Sequence, residues 1–454
     1  MRQCRFIFLA VSCQVLATLS PAGNLAFAED PAPRFEIAPK RAFYDEHVSV
    51  FITNLKPDQV VTVQTSAGNF KSELEFKADA RGRVDLAGPK PDPAKNEKIA
   101  PLRILWSMKN DPEAPREDSL KKTALDATQV TISAYVAGKL VADGTFELLY
   151  VSADMERIPV REQGLRGVFF KPKTKGHYPG LMVLGGSDGG LKENLAALLA
   201  RRGYGVLALA YFNYEDLPKH LVDIPLEYFE TGLKWLQNEE SIQGEKLAVL
   251  GRSRGGELAL LLGTRYPQIK AVVAYVPSNV VWPGFSADFD DAQPAAWTSN
   301  GKPVANMGAA NVDSTEEIEV LESNPEVSTP WFRLYLNEEE AARHATIPVE
   351  KIGGPVLLIS GIDDQVWPSP EMAELVMQRM TEHKHSYSDK HLSYANCGHL
   401  LGIPNSAVGE TRQLDPLTKQ PLELGGTSEA TAYASWDSWA QVLSFLDENL
   451  KRDR

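Results

Sequence analysis

The sequence predicts two domains: an α/β domain built on a mostly parallel sheet, and before it an all-β sandwich. Three observations carry this expectation. From about residue 165 onward, short apolar runs alternate with helical patterns, the arrangement that builds a parallel sheet covered on both faces. From Phe35 to about Val151 the pattern is instead short alternating strands separated by turns. Within Lys246–Gly263, KLAVLGRSRGGELALLLG, an apolar strand runs through Gly-Arg-Ser-Arg-Gly into a helical repeat. G-x-S-x-G between strand and helix is the context of a nucleophile elbow, in which small flanking residues permit the tight turn and leave the serine exposed.

The chain of 454 residues is long enough for an enzyme domain and a smaller partner. Its formal charge of -13 provides no basic patch for nucleic acid. Residues 1–28 differ from the rest: Arg2 and Arg5, an apolar Phe6–Leu19, then Ala26-Phe27-Ala28 before Glu29-Asp30. This reads as a signal peptide cut after Ala28. The apolar run falls short of the roughly 20 residues a membrane span requires, and Ala10-Val11-Ser12 is a poor lead-in for acylation at Cys13. The expectation is export to the periplasm or beyond, with no stable membrane insertion; without such a leader the protein would be cytoplasmic. Of Cys4, Cys13 and Cys397, only the last survives cleavage, so no intramolecular disulfide is available. Cys397 precedes a candidate histidine by two residues and reads as a small packing residue.

Residues 29–155 form the predicted sandwich. His47–Ile52 alternates, Gln59–Thr65 is β-branched after a Lys-Pro-Asp turn, and Val130–Val136 and Leu140–Tyr150 flank a hairpin turn at Ala137-Gly138-Lys139. Gly88–Ala100 and Lys109–Lys122 read as loops, with Trp106-Ser107-Met108 an apolar island packed against something. Ser152–Gly164 is the junction, and residues 156–454 form the α/β domain. Leu165–Phe170, Pro179–Leu184, Tyr204–Leu209, Ala271–Tyr275, Pro355–Ser360 and Leu392–Ala395 read as strands. Asn194–Arg202, Leu226–Leu236, Glu371–Met380 and Ala434–Leu450 read as helices. Asn279–Thr329 lacks periodicity and fits a lid or cap insertion, and Ile403–Gly426 is irregular.

An α/β-hydrolase orders its triad Ser, acid, His along the chain. Here Ser253 is followed by Gly361-Ile362-Asp363-Asp364 at a strand end, and then by Asn396-Cys397-Gly398-His399 after a short strand. Asp364 is the favoured acid and Asp363 the alternative. His399 would take the serine proton, and the acid would hold the imidazole in the required tautomer. Backbone donors for an oxyanion are expected from Arg254, at the helix start, and from the Gly186-Ser187 turn. Arg252 and Arg254 are either surface cations or attract an acidic substrate group. His383, His385 and His391 lie in a charged, surface-like stretch. No metal-ligand spacing, P-loop or dinucleotide fingerprint is present, so neither metal nor cofactor is expected.

Longer segments make the reading more specific. Leu207–Pro218 (LALAYFNYEDLP), Leu226-Glu227-Tyr228-Phe229-Glu230, Gly251–Glu257, Ile347–Lys351, Gly361–Asp364 with Trp367, and Trp106-Ser107-Met108 resemble signature segments of the acyl-CoA thioester hydrolase and bile acid-CoA:amino acid N-acyltransferase family. The resemblance spans nearly the whole chain after residue 28. It implies an immunoglobulin-like N-terminal domain, an α/β-hydrolase catalytic domain, and acyl transfer from a small-molecule thioester to water or to an amino acid. Within that family serine accompanies hydrolysis and cysteine accompanies conjugation, so Ser253 favours hydrolysis. The implied acid and base fall on Asp364 and His399. A broad carboxylesterase and an acyltransferase to a small acceptor are the alternatives. Coenzyme A esters are not expected outside the cytoplasm, so an exported member would act on another ester or thioester.

Overall fold

A computed structural model describes residues 31–88, 99–111, 125–284, 294–308, 323–415 and 419–451. The 1–28 leader lies outside the described residues.

Among its described residues, the N-terminal part consists of strands and turns with one short helical turn, Arg103–Trp106. A six-stranded sheet runs in the order Arg41–Phe43, Lys139–Leu149, Thr128–Val136, Val60–Ala67, Phe70–Lys77, Lys109–Asn110. A second sheet runs Arg34–Ala38, Ser49–Thr53, Val84–Asp85. Alternation places Val61, Val63, Val130 and Ile132 of one sheet and Val50 and Ile52 of the other in a shared core. Ala137 and Gly138 both take positive φ (47° and 76°), the geometry of a two-residue turn that follows strand twist.

The larger part is one eight-stranded sheet. Its order is Met155–Val160, Arg166–Pro172, Gly205–Ala210, Tyr178–Leu184, Ile242–Arg252, Ile269–Tyr275, Val356–Gly361, Lys390–Tyr394. In chain order this is 1-2-4-3-5-6-7-8, and only the second strand is antiparallel to both of its neighbours. That is the α/β-hydrolase topology. The predicted junction therefore already contains the sheet's first strand. Met155–Val160 escapes sequence reading because Glu156, Arg157 and Pro159 interrupt its apolar pattern, as befits an edge.

Neighbouring residues of the central strands face opposite layers. Met182, Leu184, Val249 and Val272 pack with the helices Leu226–Asn238, Arg254–Arg265 and Ser369–Glu382. Leu181, Val183, Ala248, Leu250 and Val273 pack with Glu193–Arg201 and Ser428–Leu446. No helix among the described residues is long and apolar enough to cross a membrane.

The two parts share a seam. Tyr44 and Tyr150 of the N-terminal part, stacked with ring centroids 4.1 Å apart, pack against the hydrolase core. The buried Asp45 carboxylate accepts from Arg202 Nε (2.8 Å) and Trp439 Nε1 (3.2 Å). The Trp106-Ser107-Met108 island finds its partner in the hydrolase part. Val408 N donates to Trp106 O (3.2 Å) and Gly409 N to Met108 O (3.1 Å).

Candidate active site

Ser253 stands between the strand Ile242–Arg252 and the helix Arg254–Arg265 with φ 57° and ψ −124°, a backbone region that a residue with a Cβ rarely occupies. The turn is held from three sides. Ser253 N donates to Tyr275 O at 2.9 Å, while its own carbonyl accepts from Gly256 N (2.7 Å) and Glu257 N (3.0 Å). The glycines are needed for room: a Cβ on Gly251 would lie 1.9 Å from Gly255 O, and one on Gly255 would lie 2.2 Å from Gly185 O.

Ser253 and His399 line one cavity of about 400 Å³, together with Gly186, Ser187 and Arg254. Apolar walls come from Phe332, Val366, Trp367, Leu414, Leu422 and Leu424. Gly186 lies beside the elbow: a Cβ there would be 3.0 Å from Arg252 O and 3.4 Å from the Cβ of Ser253. Its loop is fixed by the Tyr211 hydroxyl, which donates to Gly185 O at 2.6 Å. Arg254, as the first helical residue, has a backbone N–H with no intrahelical acceptor.

Behind the histidine, Nδ1 of His399 lies 2.9 Å and 3.1 Å from the two oxygens of Asp364. The Asp364 side chain is fully buried, and His399 is 7% exposed. Asp364 Oδ1 accepts from Val366 N (3.0 Å) and Trp367 N (3.3 Å), and Oδ2 accepts from Ser369 Oγ (2.6 Å). Asp363 has a different task. Exposed to solvent, its carboxylate accepts from Gly426 N (3.0 Å) and Gln365 Nε2 (3.0 Å). Between the two aspartates, the geometry therefore brings Asp364 to His399.

The loops carrying acid and base are laced to Leu424–Gly426. His399 N donates to Leu424 O (2.8 Å), and bridges pair Asp364 with Gly425 and Cys397 with Gly426. Gly425 and Gly426 take φ 75° and 71°, and a Cβ on Gly425 would meet Asp363 O at 1.8 Å. Neither glycine stands out in the sequence, nor does Ser369; a Gly-Gly pair in an irregular stretch is the only signal. Cys397 is fully buried, and desolvation pushes its thiol up to about 12, so it packs and carries no reactive thiolate.

The arginines next to the serine separate. Arg254 is no surface cation: it is 8% exposed, lies 3.3 Å from the Glu257 carboxylate, and donates from Nη2 to Trp282 O at 2.9 Å. Glu257, fully buried, also accepts from Trp297 Nε1 at 2.8 Å. Burial lifts the Glu257 carboxyl pKa, with Arg254 and the indole N–H opposing it, and burial lowers that of Arg254. Each partner's charge opposes the shift that burial imposes on the other. Glu257→Ala would leave a buried guanidinium uncompensated, and a loss of about 3–5 kcal/mol in unfolding free energy is expected. Urea denaturation checks this; a loss under about 1 kcal/mol would refute it.

Two further segments gain detail. The described parts of Asn279–Thr329 are anchored as well as lining: Trp297 is fully buried and pairs with Ile224, while Pro325 and Ser328 reach the cavity wall. Of the histidines read as surface-like, His385 has a buried side chain with Nδ1 2.6 Å from Asp389. His391 Nε2 lies 2.8 Å from Ser360 Oγ. The His385 partner lies four residues on in the same stretch, whereas the His391 partner comes from the neighbouring strand Val356–Gly361, which local charge cannot reveal. Among the described residues, no group of three or more His, Cys, Asp or Glu could hold a metal ion.

A sheet of α/β-hydrolase topology with a serine elbow and an Asp–His pair at one edge defines the class. The chain belongs to the acyl-CoA thioester hydrolase and bile acid-CoA:amino acid N-acyltransferase family. Residues 45–162 match the model of that family's N-terminal region, and residues 224–452 match its C-terminal model. Bile acid-CoA:amino acid N-acyltransferase of Mus musculus is 30% identical over 431 residues, covering 91% of this chain and 97% of the relative. Mitochondrial acyl-coenzyme A thioesterase 2 of Mus musculus is 28% identical over 444 residues, covering 95% and 92%. Acyl-coenzyme A thioesterase 1 of Homo sapiens is 28% identical over 422 residues, covering 90% and 95%. Among solved structures, an α/β hydrolase from Penicillium sp. sh18 is 14% identical with a TM-score of 0.39, covering 66% of this chain and 99% of its own.

Proposed function

We propose that this protein hydrolyses acyl thioesters through an acyl-enzyme formed on Ser253. The observation that carries the reading is the convergence in one cavity of a serine at φ 57° and a histidine whose Nδ1 faces a buried carboxylate. In this reading His399 takes the Ser253 proton as the hydroxyl attacks the carbonyl, and returns it to the leaving thiolate. Asp364 holds the imidazole tautomer and stabilises its charged form. The backbone N–H groups of Arg254 and of the Gly186-Ser187 turn stabilise the oxyanion. Water, activated by the same histidine, then releases the acid. Serine at position 253 favours water over an amine as the final acceptor, in line with the relatives named thioesterases.

The domain limits that accompany this reading are 29–155 for an immunoglobulin-like sandwich and 156–454 for the hydrolase, with residues 1–28 a cleaved export signal. Subcellular fractionation tests the export; recovery of full-length protein in the cytoplasm alone would refute it.

A fluorophosphonate probe is expected to add one adduct, mapped to Ser253 by peptide mass spectrometry. The labelled protein should lose thioester hydrolysis in proportion to occupancy. Folded protein that cleaves thioesters and yet remains unlabelled, or labels elsewhere, would overturn the assignment. Comparing kcat/KM for thioesters and oxygen esters of equal acyl length separates a thioesterase from a general esterase.

A further inference from the structure

The strand that ends at Ser253 leaves one cation unaccounted for. Arg252, half-buried, follows Leu250 on the sheet face that meets the C-terminal helix, and its register partner is Tyr275. It lines the Ser253 cavity and also an adjoining cavity of about 310 Å³ walled by Leu250, Tyr275, Leu401 and Trp439. Other cations on these walls are engaged: Lys192 pairs with Asp188, and Arg254 with Glu257. Among the described residues, no hydrogen bond or ion pair occupies the Arg252 guanidinium. An unpaired guanidinium at the neck between two cavities has a fork of donors free for an incoming acid.

We propose that Arg252 binds an acid group carried by the acyl portion of the substrate, a few bonds from the carbonyl that Ser253 attacks. Monothioesters or monoesters of short dicarboxylic acids are then favoured over alkanoyl ones of equal length. This rests on the reading of Ser253 as nucleophile. Reach decides which anion is meant. The guanidinium carbon stands five bonds from a Cα that is ~3.8 Å from that of Ser253, so the charge stays close to the reacting carbonyl. A coenzyme A diphosphate lies more than a dozen bonds beyond the thioester sulfur, roughly 15 Å along an extended arm, outside that reach. A carboxylate can take two parallel N–H bonds from the fork.

The test uses N-acetylcysteamine thioesters, whose leaving group is uncharged, in matched pairs: succinyl with butyryl, and glutaryl with valeryl. Wild-type kcat/KM should favour the acid-bearing member of at least one pair by roughly tenfold or more. Arg252→Gln should shrink that ratio by roughly tenfold to a hundredfold, and Arg252→Lys should retain part of it. Protein that takes the fluorophosphonate at Ser253 but shows no preference, or a ratio unmoved by Arg252→Gln, overturns the Arg252 assignment alone. Protein that neither labels nor hydrolyses overturns the Ser253 reading and this inference with it. An Arg252→Gln effect confined to amide yield when glycine is added would assign the anion to an acceptor and overturn the acyl assignment.

Discussion

Ser253→Ala is expected to lower kcat for a thioester by about 10⁴- to 10⁶-fold, the oxyanion donors sustaining the residual rate. Stability should change by less than about 1 kcal/mol, because little of the fold depends on the hydroxyl. The backbone bonds of the turn, from Ser253 N to Tyr275 O and from Gly256 and Glu257 to the Ser253 carbonyl, survive the substitution. Alanine also keeps the Cβ that makes φ 57° costly, so the strain is common to both proteins. Single-turnover kinetics with a thermal melt on the same sample separate the two effects. Activity within tenfold of the parent, with an unchanged melt, would exclude Ser253 as the nucleophile.

Asp364→Asn is the second large effect: a fall of about 10⁴-fold in kcat with little change in KM. The amide can keep one oxygen toward Val366 N and Trp367 N, which turns its NH2 toward His399 and Ser369. His399 Nδ1 must then accept, Nε2 carries the proton, and the ring cannot take one from serine. Asp363→Asn is the paired control. Its side chain retains an oxygen for Gly426 N or Gln365, and a loss of less than about tenfold is expected, on the scale of a surface substitution. Equal losses in the two variants would refute the assignment of the acid.

Much of this site is legible in one sequence because its parts are local. A strand, a tight Gly-x-Ser-x-Gly turn and a helix are coded by adjacent residues, and Asp364 and His399 each follow a strand end. Fold class was legible for the same reason: the central strands, buried on both faces, read as apolar runs. What stayed hidden depends on partners far along the chain. Glu257 looks like an ordinary helical acid until Trp297 and Trp282 are brought to it from the insertion. Arg252 and Arg254 are chemically identical in sequence, and only the alternation of strand faces and the onset of the helix send one inward and leave the other at a cavity neck. His385 and His391 sit among lysines and aspartates, yet the paired strands Val356–Gly361 and Lys390–Tyr394 enclose His391.

The lacing of the histidine loop to Leu424–Gly426 bears on how readily this enzyme can acquire new substrates. The hairpin Arg412–Leu414 and Pro421–Glu423 supplies Gln413, Leu414, Pro421 and Leu422 to the cavity wall. The same segment then continues into Leu424, whose carbonyl fixes the His399 backbone, and whose N–H reaches back to Thr411. The cavity rim and the backbone of His399 thus hang from one tether only three residues long. Loop exchange in the laboratory, or insertion during evolution, would disturb turnover together with selectivity. Diversification would proceed by point substitution on the rim more readily than by exchange of whole loops.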